Sequence, residues 1–141
     1  MEIVVDTNCI ISALIKNSKS RAIVCSPKLH LCAPEHMISE IENNKEEIIE
    51  KAGMSEYDFE LLIAILLSNI EVVPMEKFYH FRERASSLAK HPEDAEFLAL
   101  ALLRNIPLWS DDKDLKKQND VKVLNTPELL ELVKNHLYSG K

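Results

Sequence analysis

The sequence predicts an α/β fold in which the short strands of a parallel sheet alternate with helices. Short β-branched or apolar runs alternate along the chain with segments of helical periodicity, as in repeated β-α-β units. The 141 residues are 46% hydrophobic and 28% charged, a balance typical of a globular chain that buries its own core. Because no repeat, low-complexity tract or linker-like segment interrupts the pattern, we expect one domain over residues 1–141.

Five runs have the length and composition of strands. They lie at residues 3–5, 29–32, 70–73, 107–109 and 121–124. Helices are predicted at residues 8–15, 20–25, 35–43, 55–68, 76–89, 93–105 and 127–137. Two of these helices begin with capping signals, since Ser55 precedes Glu56 and Asp58, and Thr126 precedes a proline at the first helical position.

Composition excludes several classes of protein. Only two glycines occur, so the chain has no glycine-rich loop for binding a nucleotide. The cysteines, Cys9, Cys25 and Cys32, form no C-x-x-C pair and are interpreted as small core residues rather than as a disulfide framework or a zinc knuckle. The longest apolar run, at residues 61–67, is too short to cross a bilayer, and the first residues do not resemble a signal peptide. We therefore expect a cytoplasmic protein.

The net charge of −6 argues against a protein that holds nucleic acid through a broad basic face. A polyanionic partner would need positive charge supplied locally. Divalent cations bound by clustered carboxylates would supply that charge and would attract phosphate groups.

Two aspartates occupy positions that a plain hydrophobic core does not explain. Asp6 directly follows the first predicted strand, and an open α/β sheet binds its ligands at the carboxyl ends of its strands. An aspartate there also suits the cap of the next helix, so Asp6 alone does not separate the two roles. Asp94 lies at the start of a predicted helix, in the direction of the apolar residues Leu98 and Ala101. Burying an unpaired carboxylate costs several kcal/mol, whereas the helix dipole returns only ~0.3–1 kcal/mol.

Two further acidic features are weaker when each is taken alone. Glu40 borders the apolar stripe of its predicted helix, where glutamates are usually solvated. The fourth predicted strand runs directly into Ser110-Asp111-Asp112-Lys113-Asp114. Mutual repulsion at the end of a central strand raises the pKa values of such carboxylates unless a cation compensates. A shared divalent-metal site accounts for all four features.

These residues resemble the pattern of the PIN-domain nucleases, in the same order and over nearly the whole chain. The first match is an apolar strand that ends in an aspartate, here Ile3-Val4-Val5-Asp6-Thr7-Asn8. A helical glutamate follows the second strand and is matched by Glu40. An aspartate then begins an Ala/Leu-rich helix, matched by Asp94, and a strand leads into Thr or Ser, any residue and Asp, matched by Ser110-Asp111-Asp112. The last two motifs together are the most specific.

The resemblance implies a three-layer α/β architecture, with a five-stranded parallel sheet between helices. It also implies hydrolysis of phosphodiester bonds in RNA, with Mg²⁺ or Mn²⁺ held by four catalytic carboxylates, Asp6, Glu40, Asp94 and Asp112. Many relatives are toxin ribonucleases that an antitoxin peptide or protein inhibits, and many are homodimers. We therefore expect an RNA substrate and, as partners, an antitoxin and a second copy of the chain.

Neighbouring residues have supporting roles in this predicted site. Thr7, Asn8 and Ser110 would orient Asp6 and the phosphate by hydrogen bonds, and Asp111 or Asp114 could hold a water bound to the metal. Capping and turn chemistry explain the first three equally well. The family register selects Asp112 as the fourth ligand, and either of the neighbouring aspartates could substitute for it.

Phosphate contacts are predicted among basic residues beside the aspartate cluster and after the first helix. These candidates are Lys113, Lys116, Lys117, Lys16, Lys19 and Arg21, although lysines at such places are usually only solvated. His91 could act as a proton shuttle close to Asp94, but an exposed histidine before a helix is the simpler interpretation.

Two rival functions make different demands on the sequence. A phospho-acceptor receiver domain also groups aspartates around Mg²⁺, but it needs an acidic pair after the first strand and a lysine after the last, and neither is present. A catalytically inactive PIN-like module that binds RNA or protein is distinguished by loss of part of the acidic set, and all four carboxylates are present. The metal-dependent ribonuclease is therefore the preferred interpretation.

Overall fold

The strands are short, apolar and parallel to one another. The computed structural model describes residues 1–138, in which the strands are β1 (Glu2–Val5), β2 (His30–Pro34), β3 (Ile70–Val73), β4 (Leu108–Trp109) and β5 (Val123–Leu124). They form one sheet in the order β3-β2-β1-β4-β5, and every neighbouring pair is parallel. The predicted α/β class with a five-stranded parallel sheet is confirmed, while the last three residues of the predicted domain lie outside the described residues.

Eight α-helices connect the strands within residues 1–138. They are α1 (Thr7–Ile15), α2 (Lys19–Val24), α3 (His36–Asn43), α4 (Lys45–Ala52), α5 (Glu56–Leu67), α6 (Arg82–Leu88), α7 (Ala95–Arg104) and α8 (Thr126–Tyr138). Short 3-10 turns lie at Met75–Lys77, Tyr79–Phe81, Pro92–Asp94 and Lys113–Lys117. α7 packs on β1, β2 and β4, while α1 packs against α2, α3, α4 and α5, which gives the expected three-layer arrangement. Over this described range, no helix combines the length and the hydropathy needed to span a membrane.

The central strands are buried on both faces. Ile3, Val4 and Val5 of β1 are fully buried, and so are Leu108 and Trp109 of β4. Successive side chains of a strand point to opposite faces, so complete burial requires helices on both sides of the sheet. The apolar runs of the sequence are continuous, rather than alternating, for this reason.

The strand order places a crevice at the carboxyl ends of β1 and β4. The chain leaves β1 toward β2 and β3 on one side, and later returns to add β4 and β5 on the other. At such a reversal the connections diverge from neighbouring strands and leave a space where open α/β sheets bind ligands. The segments that follow β1 and β4 therefore meet at this point.

Two helical predictions differ from the structure. α4 was not predicted, because its sequence is highly charged and only Ile48 is buried; it ends at Gly53, whose φ of 64° is the left-handed conformation that glycine adopts readily. The single helix predicted over residues 76–89 is wrong in its first half. There, the fully buried Phe78 lies between two 3-10 turns with φ −116° and ψ 9°, outside the helical conformation. Its packing into the core overrides the local helical pattern.

The cysteines agree only in part with their interpretation as core residues. All three are free thiols, and Cys9 and Cys32 are buried. Cys25 is exposed, because it ends the short helix α2 where the chain returns to the surface.

Candidate metal centre

The pairing of β1 with β4 places Asp6 beside Ser110. Val5 is aligned with Trp109 in the parallel ladder, and the Asp6 backbone N–H donates to the Trp109 carbonyl at 3.0 Å. One residue further, the Ser110 hydroxyl donates to Asp6 Oδ2 at 2.7 Å. Both residues are buried, with 7% of Asp6 and 1% of Ser110 exposed. The first and last sequence motifs are thus joined by a direct hydrogen bond.

Asp6 combines the two roles that its sequence position suggests. As the N-cap of α1, its Oδ1 accepts a hydrogen bond from the Asn8 backbone N–H at 3.5 Å. Burial raises the pKa of the Asp6 carboxyl, the hydrogen bonds from Ser110 and Asn8 oppose that effect, and the charges of Glu40 and Asp112 add to it. Since the pKa stays raised despite two donors, the ionised carboxylate has less compensation than its burial requires.

Glu40 is held toward the same region by Thr7. The Thr7 hydroxyl, buried in α1, donates to Glu40 Oε1 at 2.6 Å, and the half-buried Glu40 is close enough to Asp6 to raise its pKa. The sequence predicts Thr7 as a partner of Asp6, whereas its hydroxyl contacts Glu40 in the structure. The backbone of Glu40 is also fixed, because the Asn44 side chain donates to its carbonyl at 2.7 Å.

Asp94 approaches the site from the start of α7. It ends the turn Pro92–Asp94, and its carboxylate makes no capping hydrogen bond to α7. Burial raises the pKa of this half-buried carboxyl to about 6, and the charges of Asp6 and Asp112 act in the same direction. Leu98 on the same side of α7 is fully buried, as the helical spacing predicts. Asp94 is therefore neither solvated like a surface residue nor used as a cap.

Among the three aspartates after β4, Asp111 is bound to Thr126 at the start of α8. It accepts hydrogen bonds from the Thr126 backbone N–H and from the Thr126 hydroxyl, both at 2.7 Å. The Trp109 indole N–H in turn donates to the same hydroxyl at 3.0 Å. Asp111 therefore stabilises the junction between β4 and α8, and its two carboxylate oxygens are engaged there.

Asp112 lies near other carboxylates, whereas Asp114 lies next to lysines. The half-buried Asp112 accepts a hydrogen bond from the Asp114 backbone N–H at 2.9 Å, and its charge raises the pKa values of both Asp6 and Asp94. The Asp114 carboxylate contacts Lys117 at 3.0 Å, and that contact is the main cause of its lowered pKa. Of the three aspartates, Asp112 is the one whose charge raises the pKa values of Asp6 and Asp94.

The four carboxylates are coupled by charge without being in close contact. In residues 1–138, no three of them bring one ligand atom each within 4.8 Å of one another. Glu40 and Asp112 each accept a separate hydrogen bond, from the Thr7 hydroxyl and from the Asp114 backbone N–H. The donor set fits a hard divalent cation such as Mg²⁺ or Mn²⁺, because it consists of carboxylate oxygens, and a cation would offset the raised pKa values of Asp6 and Asp94.

A tighter group of two glutamates and a histidine, not found by sequence reasoning, lies near the amino ends of the strands, on the opposite side of the sheet from the candidate site. Glu2, His30 and Glu71 each place a ligand atom within 4.8 Å of the others. Arg104 occupies this group, donating to Glu71 at 2.7 and 2.9 Å and to Glu2 at 3.0 Å. The three residues lie on neighbouring strands near their amino ends, so knowledge of the strand order was needed to bring them together.

The predicted phosphate contacts near α1 differ in whether their side chains are already bound within the protein. The Arg21 guanidinium donates to the carbonyls of Ala13 and Leu14 at 2.7 and 3.2 Å, so it stabilises the end of α1. Lys16 and Lys19 are exposed. The role of Arg21 as a phosphate contact would require it to leave this structural position.

The predicted phosphate contacts after β4 differ in the same way, because two of them pair with carboxylates. Lys113 is exposed, Lys116 pairs with a glutamate of α8, and Lys117 pairs with Asp114. Sequence reasoning missed Lys90, whose ammonium lies 3.6 Å from Asp114. Its position two residues before the turn Pro92–Asp94 was the available signal.

Comparison with known proteins agrees with this architecture. The family model of the PIN domain matches residues 4–131, whereas no curated protein matches the sequence. A chain of VapBC2 from Rickettsia felis, bound to a DNA fragment from its promoter, has a TM-score of 0.66 and 14% identity over 89% of this chain and 98% of that one. A chain of a toxin–antitoxin complex from Klebsiella pneumoniae has a TM-score of 0.66 and 18% identity over 88% of this chain and 97% of that one.

The extent of the family match is decisive. It reaches from within β1 into α8 and includes every segment that carries one of the four predicted ligands. The solved structures share the fold over nearly their whole length. This chain belongs to the PIN-domain family.

Proposed function

We propose that this chain is a divalent-metal-dependent ribonuclease in which Asp6, Glu40, Asp94 and Asp112 hold the metal. The observation that carries the proposal is the charge coupling of these groups, since Asp6 and Asp94 have raised pKa values and Asp112 contributes to both. Perturbed carboxylates at the ligand-binding edge of an α/β sheet are typical of functional sites. Membership of the PIN-domain family supports the same chemistry.

The residues of the chain would prepare the site by positioning its oxygen ligands. Ser110 donates to Asp6, and Thr7 donates to Glu40, so each of these carboxylates keeps a defined orientation. When bound, Mg²⁺ or Mn²⁺ would supply Lewis-acid chemistry to the water and the phosphodiester. Asp6, Glu40, Asp94 and Asp112 would serve as ligands, and no nucleophilic side chain is required.

We also infer a toxin-type role with an antitoxin partner. One structure that shares the fold is a toxin–antitoxin complex from Klebsiella pneumoniae. The other, from Rickettsia felis, is VapBC2 bound to promoter DNA. Cleavage of RNA by this chain, restrained by an antitoxin, is the biological role that follows from this likeness and from the family.

An apolar stripe on α5 supports a protein partner, either a second copy of the chain or the antitoxin. Tyr57, Leu61 and Ile65 are spaced four residues apart and are 73%, 49% and 57% exposed. Residues at this spacing lie on one face of a helix, so the three side chains form a continuous surface. A contiguous exposed apolar patch is a feature typical of protein-interaction sites.

The alternative is a catalytically inactive PIN-like module that binds RNA or protein. Such a module would share the fold, so only the acidic set distinguishes it, and that set is complete and coupled by charge. A receiver-type domain has less support, because Asp6 is followed by Thr7 rather than by a second acidic residue.

Cleavage of a labelled single-stranded RNA by the purified protein tests the proposal. We expect cleavage with Mg²⁺ or Mn²⁺ that stops in excess EDTA and returns when metal is restored. Asp6→Asn should abolish cleavage, because the amide keeps the size of the side chain and loses its charge. Asp120→Asn is the matched control and should retain activity, because Asp120 pairs with Arg84 on the surface. Cleavage in EDTA, or by rigorously purified Asp6→Asn, would exclude a metal nuclease, and binding of RNA without cleavage would favour the inactive module.

A further inference from the structure

A group of basic side chains converges on Asp114 beside the candidate metal centre. Lys117 Nζ lies 3.0 Å from Asp114 Oδ1, and Lys90 Nζ lies 3.6 Å from Asp114 Oδ2. His91 Nε2 lies 3.3 Å from the same Oδ2. We call these four residues the Asp114 cluster. Its three basic members come from two separate segments of the chain.

The Asp114 cluster is attached to the metal centre at two points. The Asp114 backbone N–H donates to Asp112 Oδ1 at 2.9 Å. On the other side, Lys90 and His91 directly precede the turn Pro92–Asp94. The cluster therefore bridges the two segments that carry two of the predicted ligands, and its lysines border the centre on that side.

The lysines of the cluster have donors left for a ligand. Lys90 and Lys117 are 61% and 69% exposed, while the Asp114 side chain between them is 26% exposed. An ammonium group has three N–H donors, and contact with one carboxylate oxygen does not use them all. The remaining donors face solvent beside the acidic centre. By contrast, the side chain of Lys116, which pairs with Glu128 of α8, is only 37% exposed.

A polynucleotide needs positive charge at this place. The chain has a net charge of −6, and the acidic centre repels the phosphates that flank the one being hydrolysed. A metal at the centre neutralises charge only where it binds. Lysine contacts to flanking phosphates would hold the strand in position without reading its sequence.

We propose that Lys90 and Lys117, positioned by Asp114, bind the RNA backbone phosphates next to the one that is hydrolysed. Asp114 is a positioning residue in this arrangement, and His91 helps to hold the two segments together. The inference rests on the proposed nuclease function and assigns one side of the site to the phosphates that flank the hydrolysed one.

Salt-dependent binding of a fluorescein-labelled oligouridylate tests the assignment of the lysines. Binding is followed by anisotropy in Mg²⁺, on an Asp6→Asn background that leaves the RNA uncut. The double variant Lys90→Gln/Lys117→Gln is compared with Lys28→Gln/Lys122→Gln. This control removes the same charge from residues just before β2 and β5, at the amino ends of the strands and on the opposite side of the sheet from the candidate site.

We expect only the first pair to change the salt dependence. Each phosphate contact on a single strand contributes about 0.7 to the slope of log affinity against log salt, so two contacts contribute about 1.4. Between about 50 and about 200 mM salt, the double variant should therefore lose roughly sevenfold less affinity than its parent. Equal slopes for the two double variants would overturn the inference. The proposed function would survive that result if the wild type cleaves RNA in a metal-dependent manner.

The positioning role of Asp114 is tested by steady-state cleavage of the same oligouridylate. Asp114→Asn should raise KM with little change in kcat, and Asp114→Glu should restore KM in part. If Asp114 served only to repel phosphate, its neutralisation would tighten binding and lower KM. A lowered KM for Asp114→Asn would therefore overturn the positioning role.

Discussion

The amino ends of the strands form one side of the sheet and their carboxyl ends form the other, called here the amino edge and the carboxyl edge. The acidic groups at these two edges have pKa values that are shifted in opposite directions. At the amino edge, Glu71 accepts hydrogen bonds from Arg104 and contacts His30, and these partners lower its pKa to about 2. At the carboxyl edge, burial and neighbouring acids raise the pKa of Asp94 to about 6. α7 joins the two edges, because Asp94 directly precedes it and Arg104 is its last residue.

The comparison favours compensation, rather than proximity, as the property that separates a structural acidic group from a candidate metal site. Glu2, His30 and Glu71 have ligand atoms within 4.8 Å of one another, yet Arg104 already pairs with both glutamates. The carboxylates of the carboxyl edge are further apart, and the pKa values of Asp6 and Asp94 stay raised. Distance alone would therefore select the amino edge, where Arg104 already supplies a cation.

The largest expected effect is on catalysis and separates two adjacent residues. Asp112→Asn should reduce RNA cleavage by more than the roughly 10–100-fold that loss of an outer hydrogen-bond partner costs a metal site. Asp111→Asn should cost far less, because Asp111 faces Thr126 rather than the centre. The measurement is kcat/KM on a labelled RNA for both variants.

Glu71→Gln extends the same comparison to the amino edge and should retain wild-type kcat/KM. Equal losses in Asp111→Asn and Asp112→Asn would remove the basis for choosing Asp112 as the ligand. A large loss in Glu71→Gln would show that the amino edge also takes part in the reaction.

The second effect is on stability at the amino edge. Arg104→Met removes the cation and leaves Glu2 and Glu71 facing each other, so we expect a loss of about 1–2 kcal/mol in the free energy of unfolding. The double variant Arg104→Met/Glu71→Gln should recover part of this loss, because it also removes one of the opposed charges. Urea denaturation measures both values. An unchanged stability for Arg104→Met would show that the ion pairs of this edge are only solvated contacts.

The smallest effect is a difference in pH dependence between the edges. The pKa of Asp94 is raised, so its stabilising contribution is complete below its ordinary value of 3.8 and is lost as the pH rises through about 6. The pKa of Glu71 is lowered, so its contribution is present above its ordinary value of 4.5 and is lost as the pH falls toward about 2. In EDTA, the stability of Asp94→Asn relative to wild type should therefore increase as the pH is raised from 3.8 to about 6. A stability difference that does not change over this interval would contradict the raised pKa.

The sheet was predictable because its strands are buried on both faces. Complete burial of Ile3, Val4 and Val5 requires continuous apolar residues, and such runs are visible in the sequence. α4 was not predictable in the same way, because a helix that buries only Ile48 needs little apolar sequence. The strand order also cannot be read from local patterns, because it depends on how distant segments pack.

The candidate site was predictable where a residue follows a strand or begins a helix. Asp6 and Asp94 were found by this rule. The choice among the aspartates after β4 rested on the family register, and its physical basis appears only when Thr126 and Lys117 approach Asp111 and Asp114 from other segments. Lys90 was missed for the same reason, because its contact with Asp114 joins residues that are distant in sequence.

Thermal unfolding of wild type and Asp94→Asn, in EDTA and in Mg²⁺ at matched ionic strength, tests most directly whether the carboxyl edge is a metal centre. Without metal, Asp94→Asn should unfold at the same temperature as wild type or higher, although a point mutation usually costs about 1 kcal/mol. With metal at a hundredfold excess over Kd, wild type should gain about 2.7 kcal/mol and the variant less, which reverses the order. If Asp94→Asn is strongly destabilised in EDTA and Mg²⁺ leaves the order unchanged, Asp94 is a structural carboxylate and the metal centre is contradicted.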